Sequence, residues 1–196
     1  MRSRSRCVPH AVAQILAGAS QAAAVELGIP MAIAVVDAEG GAQLFTRMDG
    51  TLPVSSELAV SKAYTAAILR MSSAEVGKQA QPGAALYGIE STHNGRIVLF
   101  GGGLPLYLNG EVAGAVGVSG GSVEEDIVVA TPAVELLQKM ERWSGKIKAL
   151  LPDLAVKPMD MEKVKEMLWH CLEQDRSLVP EGEIAALVGG ICLALS

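Results

Sequence analysis

Four groupings of residues in this 196-residue chain have types and spacings that could do chemistry. Gly117-Val118-Ser119-Gly120-Gly121 fits G-x-S-x-G, the turn that holds a nucleophilic serine between a strand and a helix. Such a turn belongs to a largely parallel sheet and needs a histidine partner. Here the strand entering Ser119 leaves an antiparallel hairpin, and the only histidine downstream, His170, falls in an amphipathic pattern. Serine hydrolysis is therefore not supported. Gly101-Gly102-Gly103 could bring backbone close to a ligand or simply bend a strand, and it matches neither G-x-G-x-x-G nor a phosphate-binding loop. Cys7 and His10 are spaced as half a metal site, with no second half. Lys62 stands among alanines, where a lysine that snorkels to water is the ordinary reading unless its amine points at the glycine cluster. Asp126 sits in the first turn of a predicted helix, where a carboxylate suits the helix dipole. The two offer opposite charges but no constellation of base and nucleophile.

The elements that must position these residues centre on 96–121. Asn109-Gly110 between apolar runs is a strong hairpin signal, because both central residues of a type I′ turn need positive φ. Strands are predicted over Leu104–Leu108 and Glu111–Val118, with another short run at Ile97–Phe100. Upstream, Pro9–Leu27 has helical periodicity ended by Gly28-Ile29-Pro30. Met31–Val36 reads as a strand covered on both faces and turns through Asp37–Gly41 into Ala42–Met48. Val54–Arg70 reads as a helix with serines able to cap it and a stripe of alanines that lets it sit close to a sheet. Residues 72–95 read as loop holding Tyr87 and His93, either of which could face a pocket. Ser122-Val123-Glu124-Glu125 fits a capping box, so a helix opens there. Lys146–Pro158 reads as a linker and 159–196 as two short amphipathic helices, whose apolar stripes need covering by the chain's own core, another subunit or a partner.

Composition narrows the function classes. Half of the residues are hydrophobic, which is enough for one substantial core. A net charge of −5, with aromatics at only 4%, argues against a nucleic-acid partner. Cys7, Cys171 and Cys192 read as reduced cytosolic thiols. The Arg-rich, Ala-rich start is interrupted by His10, Gln14 and Gln21, so an ordinary first helix is favoured over a signal peptide. No run reaches membrane-spanning length.

In this order, the strings IPMAIAVVDAEGG, RMDG, SKAYTA, GGGLPLYLNGEVAGAVGVSGG and EED resemble the GlcG/HbpS/PduO C-terminal domain family over residues 10–140. The resemblance implies an α+β fold, profilin-like or PAS-like, with an antiparallel sheet of about five strands flanked by helices and assembled into oligomers. It implies haem or a related tetrapyrrole as cofactor. The positions that match the family's strings are Arg47, Asp49, Lys62, Gly102, Gly103, Pro105 and Asp126, which would shape a pocket or subunit contacts. Axial ligation of haem iron takes His, Cys, Met or Tyr, and His10 is the first candidate, as cofactor-binding and metal ligand, with His93 the second. The adenosyltransferase domain that accompanies the PduO version is absent, so that activity does not carry over.

The resulting expectation is a cytoplasmic homo-oligomer of a domain at 1–145, a linker at 146–158 and a tail at 159–196. It would be a cofactor-binding protein, with an enzyme acting on a small acid, for which Lys62 and Asp126 offer charges, as a further alternative. The alternative is an accessory or scaffold protein in a bacterial microcompartment lumen, its tail docking on shell or cargo.

Overall fold

The computed structural model describes residues 7–150. Helix α1 (His10–Leu27) follows Pro9 and ends at Gly28, which adopts φ 70°. Strand β1 (Ala32–Asp37) is buried along almost its whole length, as a central strand of a doubly covered sheet must be. It turns into β2 (Ala42–Arg47), an exposed edge strand. Helix α2 (Pro53–Leu69) starts at a proline following Leu52, without the serine cap that the sequence predicts. Proline at the first helical position needs no amide partner, so the helix can open without one. A short helix α3 (Ser73–Gln79), capped by Ser72, occupies the front of the segment read as loop. Strands β3 (Gly103–Leu108) and β4 (Glu111–Ser119) form the predicted hairpin, and α4 (Val123–Leu150) follows. The capping box forms as expected: Glu125 N–H donates to Ser122 Oγ and Ser122 N–H to Glu125 Oε2.

The sheet has four antiparallel strands in the order β2-β1-β4-β3, so the α+β class holds with one strand fewer than expected. The missing strand is Ile97–Phe100. Its Val98 N–H donates to Thr65 Oγ1 at 2.9 Å, so a side chain of α2 takes the bond a neighbouring strand would have supplied. One face of the sheet carries Ala32, Ala34, Val36 and Ala115 against Ala59, Ala63, Ala66 and Ala67 of α2. The alternating residues Ile33, Val35, Val116 and Val118 are equally buried on the other face.

Two compact units divide the chain, residues 1–138 and 139–196. Helix α4 continues to Leu150, so the first residues of the expected linker are helical. The rest of that stretch and the tail at 159–196 lie outside the described residues. Among those described, no helix is long and apolar enough to cross a membrane.

Candidate functional site

Two places gather the chemistry-bearing residues. The first is internal. The stripe Ala59, Lys62, Ala63 and Ala66 faces the sheet, so Lys62 is carried into the core with no exposed surface. Its Nζ donates to Val118 O at 3.0 Å and to Asp126 Oδ2, while Asp126 Oδ1 accepts from Gly121 N–H. Phe100 lies beneath the ammonium, its ring centroid 5.0 Å away. A Cβ on Gly102 would stand 2.9 Å from Nζ and one on Gly103 2.2 Å from Lys62 O, so the glycines make room for the lysine and its helix. Burial pushes the Lys62 pKa below its ordinary value, opposed by the hydrogen bond and charge of Asp126. The amine therefore does point at the glycine cluster, and the snorkelling reading is corrected. Buried together, the pair ties α2, the glycine bend, β4 and the start of α4 to one another.

The second place is a lateral groove of about 440 Å³, lined by Phe45 of β2, Ser56, Glu57, Val60 and Ser61 of α2, and Arg96. Ser56, Val60 and Tyr64 are four residues apart, so they share a flank of α2 beside the stripe that carries Lys62. Phe45 is nearly half exposed, and Ser56 Oγ is buried with no hydrogen-bond partner. The Arg96 guanidinium stacks 3.7 Å from the Tyr64 ring centroid, and the Tyr64 hydroxyl lies 2.9 Å from His93 Nδ1.

The structure thus joins Lys62, Gly102, Gly103 and Asp126, and separates them from the other predicted site residues. His10 is exposed at the start of α1, and Arg47 and Asp49 are exposed at the end of β2 and in the turn after it. Pro105 is half-buried in β3 opposite Ala115. His93 is exposed, and Tyr64 links it to the groove residue Arg96. Among the described residues, no group of three or more His, Cys, Asp or Glu could hold a metal ion. Sequence reasoning missed Phe45, Ser56, Val60, Tyr64 and Arg96. The available signal was the second stripe of α2, where Ser, Val and Tyr replace alanine.

A four-stranded antiparallel sheet, a helix pressed onto it through small residues and a groove at its side define a small α+β domain. The family model described as haem degrading protein HbpS-like matches residues 8–135, and the chain belongs to that family. An uncharacterized 15.0 kDa protein of the dhaT-dhaS intergenic region of Citrobacter freundii is 45% identical over 130 residues, covering 66% of this chain and 92% of that one. Corrinoid adenosyltransferase PduO of the same organism is 47% identical over 111 residues, 57% of this chain, which spans only 33% of the adenosyltransferase. The solved PduOC:heme complex is 40% identical and superposes with a TM-score of 0.64, covering 66% of this chain and 94% of its own.

Proposed function

We propose that the protein binds haem in the groove between β2 and α2, as a cytoplasmic homo-oligomer whose role is to hold the cofactor. The observation that carries this reading is a groove whose wall bears Phe45 and Val60, with the cation of Arg96 also in its lining. The groove's volume is in the range of cofactor sites. Phe45 and Val60 offer faces for a flat macrocycle, and Arg96 offers donors for its carboxylates. Bound haem would supply redox-active iron, and the residues here would orient it and keep water from one face. His10 is the axial donor expected from the sequence, with His93 second, and neither is among the residues that line the groove. The membership in a haem-associated family and the similarity to a haem complex support the reading.

Ferric haem titrated into the purified protein should give a saturable Soret band that Val60→Asp weakens at least about tenfold, the scale of a charge placed on an apolar wall. His10→Ala should shift that band. An unchanged band in His10→Ala would retire His10, and unchanged affinity in Val60→Asp would move the site elsewhere.

A second reading rests on the PduO similarity: an accessory protein of a bacterial microcompartment, with residues 159–196 docking on shell or cargo.

A further inference from the structure

Tyr64 is held from three directions by separate parts of the chain. A Cβ on Gly40 would lie 2.5 Å from its Cδ2, so the ring occupies the space that glycine leaves open. Arg96 covers one face at 3.7 Å. His93 meets the hydroxyl at 2.9 Å, its ring edge-on at 61°. To bring His93 there, three successive residues, His93, Asn94 and Gly95, adopt positive φ of 52°, 58° and 74°. Two of them carry a Cβ and take that conformation at a cost, and such strain persists where the surroundings fix it.

Arg96 on the ring face and the contact at Nδ1 fix where the His93 imidazole sits. With the hydroxyl as donor to Nδ1, the imidazole hydrogen lies on Nε2, and in that tautomer Nε2–H is a donor rather than an iron ligand. Stacking uses the face of Arg96 and leaves its edge to donate. Glu57, also in the lining, repels a carboxylate and turns a ligand's acidic edge towards Arg96.

We infer that Arg96 and His93, organised by Tyr64, form a clasp for a carboxylate of the groove's ligand. Arg96 and His93 Nε2–H donate to that carboxylate, Tyr64 acts as a positioning residue, and His93 is not an iron ligand. The inference rests on the haem reading of the groove, and the test keeps the two apart.

Iron-free protoporphyrin IX and its dimethyl ester are titrated into the full chain and followed by porphyrin fluorescence. The free acid should bind about tenfold tighter than the ester, as charge-assisted hydrogen bonds require. Arg96→Ala and His93→Ala should reduce that preference to about twofold, whereas His93→Gln, which keeps a donor, should retain most of it. Tyr64→Phe should weaken the acid about fivefold and leave the ester unchanged. In ligand-free protein, ¹⁵N NMR should find His93 with its hydrogen on Nε2, and a mixture of tautomers in Tyr64→Phe. Equal binding of acid and ester, an unaltered tautomer in Tyr64→Phe, or loss of the Soret band of ferric haem in His93→Ala would overturn the clasp. Failure of ferric haem as well as both porphyrins to bind would overturn the haem reading itself.

Discussion

Lys62 is the largest side chain wholly buried among the described residues, yet it sits in a run of alanines that looks like an ordinary helix surface. Sequence places its Cβ on the stripe facing the sheet but does not reveal that Gly102 leaves room for its ammonium and that Asp126 waits 64 residues later to neutralise it. Removing one partner of such a pair strands the other, at a cost of about 3–5 kcal/mol. The pH dependence has a definite sign. The folded state holds the Lys62 proton less tightly than the unfolded chain, so between the lowered value and 10.5 the unfolded chain binds more protons. Stability contributed by this group therefore rises with pH across that window. Lys62→Met should melt lower than the parent protein, and the gap should widen as pH rises through the window below 10.5. A gap that stays constant or narrows would show that burial does not dominate the lysine's titration.

At the scale of elements, α2 is the organiser, because its backbone comes close enough to the sheet that a methyl group decides the fit. A Cβ on Gly117 would stand 2.1 Å from Ala59 O and 2.5 Å from Ala63 N. Gly117→Ala must push helix and sheet apart, and we expect a loss of about 2–3 kcal/mol in urea unfolding. Gly18→Ala in α1, with nothing within 4 Å, should be neutral or gain about 0.5–1 kcal/mol. Equal effects at the two positions would refute the close-approach account. The alanine stripe and the glycines made this packing legible from sequence, as Asn109-Gly110 did the hairpin and Ser122–Glu125 the start of α4. Ile97–Phe100 was not legible, because its apolar, β-branched composition says extended and buried without saying which group takes its amide. Helix α3 was hidden by the turn-forming residues around it. The groove was missed for a similar reason: Ser56, Val60 and Tyr64 are ordinary helix residues, and Arg96 lies 32 positions after Tyr64 in a stretch with no periodicity.

For the whole molecule, the open question is what the apolar stripes of 159–196 cover. Each predicted helix there is too short to persist alone in water. Residues 146–196 fused to a fluorescent reporter, in cells that make microcompartment shells, should concentrate in puncta if the tail docks on them. Diffuse fluorescence, with the same residues strongly protected from hydrogen exchange in the purified protein, would assign the helices to the protein's own assembly. The strand order carries a different consequence, for how the chain reaches this state. Each outer strand is joined to its inner neighbour by a tight local turn, but the two inner strands, β1 and β4, meet from opposite ends of the domain, with Ala32 beside Ser119 and Asp37 beside Gly114. Closing that seam spans about 80 residues and meets its entropic cost before any reward. The hairpins can flicker into existence early, whereas the central seam, α2 laid across it and the Lys62–Asp126 tie all wait on one late event. The groove, built from β2 and α2, has no lasting existence before that event, so ligand capture is a property of the finished domain.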